Sequence, residues 1–182
     1  VEIEATPLIN FTDVTADAYY ADAVAWAVKQ GITKGTSETT FSPDISCTRA
    51  QMATFLWRAA GSPAPKNSEL PFADIPADAY YYDAVLWAVE NGITNGVGNN
   101  SFAPDAVCTR GQMATFLYRF EGTPAVTGSN SFDDVAADAY YNNAVTWAVA
   151  EGITVGTGSN LFSPDADCTR GQIVTFLYRS TK

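Results

Sequence analysis

The sequence contains no histidine and only three cysteines among its 182 residues. Without histidine, Ser-His and Cys-His catalysis and every zinc site with a histidine ligand are excluded. Basic residues are scarce too, since ten lysines and arginines stand against 20 aspartates and glutamates, for a formal net charge of −10. This acidic balance argues against nucleic acid as a partner, because affinity for phosphates comes from clustered lysine and arginine.

Long apolar runs are also missing. No stretch approaches the roughly 18 consecutive apolar residues of a membrane-spanning helix. No charged-then-apolar segment opens the sequence, so we expect any secretion signal to lie outside this chain. Hydrophobic residues nevertheless make up 47% of the sequence and aromatic residues 13%, which excludes a disordered chain.

One sequence pattern occurs three times. Its copies begin at Phe11, Phe72 and Phe132, which gives offsets of 61 and 60 residues. The intervening segments are rich in proline, glycine and small polar residues, as surface linkers are. The predicted organisation is a lead-in of residues 1–10, repeats at 11–60, 72–121 and 132–182, and linkers at 61–71 and 122–131.

Each repeat is predicted to form a helix, a long loop and a second helix. In the first repeat the apolar periodicity predicts a helix over Ala18–Gln30, with Asp17 as its N-cap and Gly31 as its stop. A second helix is predicted over Arg49–Ala60, opened by a capping box at Thr48. Since two helices cannot bury both apolar stripes alone, we expect a mainly α fold in which three repeats share one core with pseudo-threefold symmetry.

The repetition also bears on chemistry. Catalysis normally needs one asymmetric set of residues, whereas nearly every distinctive residue here occurs three times. This favours binding at equivalent sites, or scaffolding, and predicts no catalytic residue, no cofactor and no metal. An enzyme would instead need a cleft with perturbed carboxylates in a single repeat.

The cysteines precede the capping threonine of each second helix, at Cys47, Cys108 and Cys168. The absence of a C-x-x-C pattern argues against zinc. The sequence therefore predicts three free thiols that act as small buried hydrophobic groups. A three-thiolate metal site on the axis is the alternative.

The six arginines occupy two repeated positions. Those at the end of the second helix complement the helix dipole; they are Arg58, Arg119 and Arg179.

The other three arginines, Arg49, Arg110 and Arg170, lie in the first turn of the second helix, where a cation opposes the dipole. Two explanations stay open. One is a structural ion pair with a carboxylate such as Asp13 or Asp44. The other is an anion site, where arginine and free helix N–H groups converge on a carboxylate or phosphate.

A pair of tyrosines is expected at the start of each first helix, at Tyr19-Tyr20, Tyr80-Tyr81 and Tyr140-Tyr141. A ring with a hydroxyl at this place lines a sugar site or packs against the linker, and the sequence leaves both possibilities open.

Together these motifs resemble the S-layer homology family over nearly the whole chain from Phe11. The first repeat carries Phe11-x-Asp13-Val14, Tyr19-Tyr20, Gly31-Ile32-Thr33-Lys34-Gly35, Phe41-Ser42-Pro43-Asp44 and Cys47-Thr48-Arg49-Ala50-Gln51. The other two repeats match equally well. Compared with the family pattern, tyrosine replaces the common tryptophan, cysteine replaces isoleucine and glutamine replaces glutamate.

The resemblance implies a three-pronged pseudo-trimer around a central helical bundle. It implies attachment to a secondary cell-wall polysaccharide, often carrying a pyruvyl ketal, in grooves between the prongs. The arginine of the family's T-R-x-E motif would contact the ketal carboxylate, while the aspartate and the aromatic residue would help to form the groove. The ligand-binding residues implied are Arg49, Arg110, Arg170, Asp13, Asp74, Asp134, Tyr19, Tyr80 and Tyr140.

The sequence is therefore interpreted as a non-catalytic anchoring module of a larger exported bacterial protein, located at the cell surface and cell wall. We expect a monomeric pseudo-trimer that binds cell-wall polysaccharide. The alternative is a module of the same fold that serves protein–protein interaction or self-assembly at the cell surface.

Overall fold

The computed structural model describes residues 10–182, so the predicted lead-in lies outside the described residues except for Asn10. Within this range, nine-residue helices alternate with 11-residue helices. They are α1 (Ala21–Lys29), α2 (Arg49–Ala59), α3 (Tyr82–Glu90), α4 (Arg110–Phe120), α5 (Asn142–Ala150) and α6 (Arg170–Ser180). The predicted mainly α class is confirmed. None of these helices has the length and apolar character needed to cross a bilayer.

The second helix of each repeat begins where the sequence predicts. Thr48, Thr109 and Thr169 are the N-caps of α2, α4 and α6, and each forms a complete capping box with the glutamine three residues later. The threonine hydroxyl and the glutamine side chain satisfy two backbone N–H groups that would otherwise lack partners at the helix start.

The first helix begins later than predicted, and the assignment of Asp17 as its N-cap is wrong. Helix α1 starts at Ala21, and its N-cap residue Tyr20 makes no side-chain cap. The preceding chain forms turns, in which the Ala18 N–H donates to the Thr15 carbonyl at 3.1 Å. A hydrogen bond with the Thr15 side chain lowers the pKa of Asp17, so the aspartate stabilises this turn instead of the helix.

Helices of different repeats pack in a cyclic order. The first helix of the second repeat, α3, packs against α2, and α5 packs against α4 in the same way. Helix α1 packs against α6, which joins the first repeat to the last. The largest cluster of buried residues draws on all three repeats, including Leu56, Leu117 and Leu177. The core is therefore shared, while the pseudo-threefold relation and the three prongs stay predictions.

The three cysteines join the repeats through their backbones. The N–H of Cys47 donates to the carbonyl of Cys168 at 2.9 Å, Cys108 donates to Cys47 at 2.8 Å, and Cys168 donates to Cys108 at 2.9 Å. All three thiols are free and 0% exposed, as predicted. Burial raises the pKa of Cys47 and Cys108 to about 12 and also raises that of Cys168.

These thiols should resist chemical modification in the folded protein. The thiolate is the reactive form, and both burial and the raised pKa suppress it. Labelling by a maleimide at neutral pH should be slower than in concentrated urea by at least about a thousandfold, because unfolded molecules are a fraction of about 10⁻³ or less. Mass spectrometry of timed samples measures the rate, and rapid labelling of all three native thiols would contradict the structure.

Candidate functional site

The aspartate that recurs near the start of each repeat clamps the long loop. Asp13 accepts hydrogen bonds from the N–H groups of Phe41 at 2.9 Å and Ser42 at 2.7 Å. The other repeats form the same contacts. Asp74 accepts from the N–H groups of Phe102 and Ala103, and Asp134 accepts from those of Phe162 and Ser163. Each carboxylate thus fixes the loop against the start of its own repeat.

The clamp has a pH dependence that can be tested at Asp74. Burial alone would raise the pKa of this carboxyl, but hydrogen bonds from Phe102, Ser101 and Ala103 together hold it below its ordinary value. A group with a lowered pKa stabilises the fold above its unfolded pKa and loses this contribution as the pH falls through the folded-state value. Asp74→Asn should therefore destabilise the protein by about 1 kcal/mol at neutral pH.

Thermal unfolding from pH 7 down to pH 2 checks this expectation. The difference in melting temperature between the wild type and Asp74→Asn should begin to shrink below about pH 4, near the ordinary pKa of an unfolded aspartate, and should disappear as the pH falls through the lower folded-state pKa of Asp74. Asp78→Asn, at an exposed position, is the matched control and should change stability by less than about 0.5 kcal/mol at any pH. A difference that is constant with pH would contradict the clamp.

The clamped loop in turn holds the arginine of a neighbouring repeat. Arg49 Nε donates to the carbonyl of Phe102 at 2.8 Å, and the guanidinium lies over the rings of Phe102 and Phe116 at 4.8 and 5.3 Å. Only 4% of the Arg49 surface is exposed. The equivalent donors and acceptors are Arg110 with Phe162 and Arg170 with Phe41.

Neither of the two explanations offered for these arginines holds in full. In residues 10–182 no salt bridge joins the Arg49 guanidinium to a carboxylate, so the ion pair with an aspartate is absent. The helix N–H groups are also not free, because those of Arg49 and Ala50 donate to the carbonyls of Ala106 and Pro104 at 2.9 and 3.0 Å. An anion at this place must therefore be bound by side chains.

Two of the arginines have a donor left over. Arg49 Nη2 and Arg110 Nη2 are buried and have no hydrogen-bond partner among the described residues. Burial lowers the pKa of both side chains, yet a guanidinium stays charged at neutral pH. A buried charged donor without a partner is costly, and a negative charge nearby would reduce that cost.

Two surface grooves are lined by arginines from the start of a second helix, groove 1 by Arg170 and groove 2 by Arg49, and residues of all three repeats line each groove. Groove 1 has a volume of about 380 Å³ and groove 2 about 270 Å³, close to the lower end of the range for small-molecule sites. Groove 1 is lined by Gly31, Thr33, Lys34, Gly35, Thr36, Gln51, Thr54, Phe55, Arg58, Tyr80 and Arg170. Groove 2 is lined by Arg49, Thr94, Gly96, Val97, Gln112, Thr115, Phe116, Arg119 and Tyr140.

The structure brings together the predicted arginines and tyrosines, but in pairs from different repeats. Arg170 and Tyr80 meet in groove 1, and Arg49 and Tyr140 meet in groove 2. The two tyrosine side chains are each 64% exposed. Their partial burial is the main reason that the pKa of each hydroxyl is raised. They are therefore neutral and can donate hydrogen bonds at the rim.

The remaining predicted residues are placed differently. Tyr19 lies close enough to Arg110 to raise the pKa of that guanidinium, against the larger lowering effect of burial. The carboxylates of Asp13, Asp74 and Asp134 bind the loop backbone, and none of them lines groove 1 or groove 2. Their role toward a ligand stays a prediction.

The second set of arginines also lines the grooves, a role that the helix dipole does not predict. Arg58 lines groove 1 and Arg119 lines groove 2. Their Nη1 groups donate to the carbonyls of Ile32 and Ile93 at 3.1 and 3.2 Å. Their regular recurrence is the available signal, since a dipole effect alone does not require arginine in every repeat.

The charge in the grooves is opposite to that of the chain. Five of its ten basic residues line the two grooves, and none of the acidic residues in the described range does. These basic residues are Lys34, Arg49, Arg58, Arg119 and Arg170. Clefts lined by one sign of charge concentrate ligands of the other sign.

Cationic grooves built jointly by three helical repeats define a binding module. The sequence pattern of the S-layer homology domain matches residues 10–53, 71–114 and 131–174. The chain therefore belongs to the S-layer homology family, whose members are anchoring modules of the bacterial cell surface, and it acts outside the cell.

Relatives carry the same module in longer proteins. The chain is 30% identical over 97% of its length to a surface-layer 125 kDa protein of Lysinibacillus sphaericus. It is 32% identical over 89% of its length to an endoglucanase of a Bacillus species, and 27% identical over 77% to a cellulosome-anchoring protein of Acetivibrio thermocellus. It spans only 15%, 18% and 33% of these relatives, so the match to an endoglucanase assigns no catalytic activity to the chain.

Proposed function

We propose that this chain is a non-catalytic anchoring module that binds a secondary cell-wall polysaccharide through the grooves between its repeats. The observation that carries the proposal is the concentration of basic residues in grooves 1 and 2 of an otherwise acidic protein. The bound group is an anionic substituent of the polysaccharide, such as the carboxylate of a pyruvyl ketal. The module acts as a monomer within a larger exported protein.

The chemistry of the grooves suits an anionic sugar. Arg49 and Arg119 line groove 2, and a charge-assisted hydrogen bond to a carboxylate is about twice as strong as a neutral one. Tyr140 at the rim offers a flat apolar ring and a neutral hydroxyl, which together suit one face and one hydroxyl of a sugar. The groove volumes suit a single sugar unit better than a long glycan segment.

Binding of purified cell-wall sacculi tests the proposal. The wild-type chain should sediment with sacculi and should remain in solution with sacculi stripped of the secondary polysaccharide. Arg58→Gln and Arg119→Gln change groove residues at the surface, and together they should weaken binding about tenfold or more, since each removes a charge-assisted contact. Lys66→Gln is the matched control, because it removes one exposed charge that lines neither groove.

Two further binding measurements distinguish a pyruvylated polysaccharide from other possible partners. Sacculi treated with mild acid, which hydrolyses ketals but leaves the polysaccharide, should lose binding if the pyruvyl carboxylate is the ligand. Equal binding to intact and stripped sacculi would overturn the proposal and would favour the alternative, a module that binds another surface protein.

A further inference from the structure

The two grooves differ at two positions of one repeated loop. Groove 1 is lined there by Lys34 and Thr36, whereas groove 2 is lined by Val97. The counterpart of Lys34 in the second repeat is Asn95, which lines a separate depression beside Phe72. The same backbone thus supports grooves of different charge and polarity.

We propose that groove 1 selects a doubly charged substituent of the phosphate monoester class, whereas groove 2 has no preference for the second charge. Lys34 is the residue that determines this difference. The inference rests on the proposed function and adds that the two grooves differ in their preference for a second negative charge.

Three cations from separate parts of the fold meet in groove 1. Lys34 lies in the loop after α1, Arg58 near the end of α2, and Arg170 at the start of α6. A phosphate monoester offers three acceptor oxygens and close to two negative charges, so each cation has an oxygen to contact. A carboxylate offers two oxygens and one charge, which leaves one of the three cations unmatched.

Groove 2 has two cations and a more apolar wall. Arg49 and Arg119 are its only basic residues in the described range, and Val97 and Phe116 supply apolar surface. Val97 is 53% exposed, so its surface is accessible to a ligand. With one cation fewer than groove 1, groove 2 offers no separate partner for the second charge of a phosphate monoester.

Nuclear magnetic resonance can observe each groove separately. The Nε–H groups of Arg170 and Arg49 are buried and hydrogen-bonded, and each reports on one groove. The probes are glucose 6-phosphate and glucuronate, which share a hexose ring and differ in charge at pH 8, well above the second phosphate pKa of about 6. At the Arg170 signal the phosphate should bind about fivefold more tightly than glucuronate, and at the Arg49 signal it should show no advantage.

Moving the lysine out of groove 1 should remove the preference. The double variant Lys34→Asn with Asn95→Lys keeps the net charge of the protein and should lose the phosphate preference at Arg170, and it should give no preference at Arg49 because Asn95 lines a separate depression. The single variant Lys34→Asn should reduce phosphate affinity at Arg170 about fivefold and leave glucuronate less affected. Lys66→Asn makes the same change of charge outside both grooves and should have no effect on either preference.

The outcome is separable from that of the proposed function. Equal preference in both grooves, or no response of either signal to glucose 6-phosphate, overturns the inference even if sacculi still bind. A preference that persists in Lys34→Asn overturns the role of this lysine. Equal binding to intact and stripped sacculi, by contrast, overturns the anchoring function while a measured difference between the grooves still supports their different selectivity.

Discussion

Replacing Arg49 by alanine should destabilise the protein by about 3 kcal/mol and also abolish binding in groove 2. The change removes a buried charge-assisted hydrogen bond to Phe102, worth about 1.5–3 kcal/mol, and contacts with two aromatic rings, worth about 0.5–1 kcal/mol each or more when desolvated. It also leaves a cavity between two repeats. Urea denaturation measures the loss of stability, and titration with glucuronate measures the loss of affinity.

A matched control is available in the same helix. Arg58 is exposed and makes one hydrogen bond through its side chain, so Arg58→Ala should cost less than about 1 kcal/mol. Arg49→Lys keeps the charge but cannot reproduce the Nε contact, and it should fall between these two variants in stability. If Arg49→Ala were no more destabilising than Arg58→Ala, the arginine would not be a structural link between the repeats.

Replacing Gly96 by alanine should be at least as damaging, for a steric reason. Gly96 has a φ of +79°, and a Cβ there would lie 2.5 Å from Cε1 of Phe72 and would also overlap the carbonyl of Ser101. Overlap with backbone cannot be relieved by a rotamer change, so we expect a loss of about 3 kcal/mol or more. Gly96 also lines groove 2, so the displaced loop should lower affinity as well.

Substitution of Gly92, four residues before Gly96, distinguishes the cost of backbone strain from the cost of steric overlap. Gly92 has a similar φ of +67°, but a Cβ added there would have no atom within 4 Å. Gly92→Ala should therefore cost only the left-handed backbone penalty of about 1–2 kcal/mol. Equal unfolding midpoints for Gly92→Ala and Gly96→Ala would show that the close approach to Phe72 has no influence.

The parts of the fold that depend on local chemistry could be predicted from the sequence. The capping box at Thr48 requires only residues three apart, and it forms as predicted. The N-cap assignment of Asp17 is wrong because aspartate stabilises turns as readily as helix starts, and Thr15 supplies the competing hydrogen bond. The start of α1 is thus mispredicted at a position where two local motifs compete.

The parts that depend on neighbouring repeats could not be predicted in this way. The sequence indicates that Arg49 needs compensation, but the acceptor is a carbonyl 53 positions away, at Phe102. Nor can it show that Arg49 faces Tyr140 instead of the tyrosine of its own repeat, because repetition does not specify which copies are neighbours. The family resemblance supplies the residue types of the site, and packing decides how they combine.

The closure of the first repeat onto the last sets the number of repeats. In an open solenoid an added copy simply lengthens the stack, because each unit needs only its two neighbours. Here α1 packs against α6, and the backbone N–H of Cys47 donates to the carbonyl of Cys168. An additional copy would have to open this contact, and a deleted copy would take residues from both grooves at once. The architecture therefore opposes the gain or loss of a single repeat.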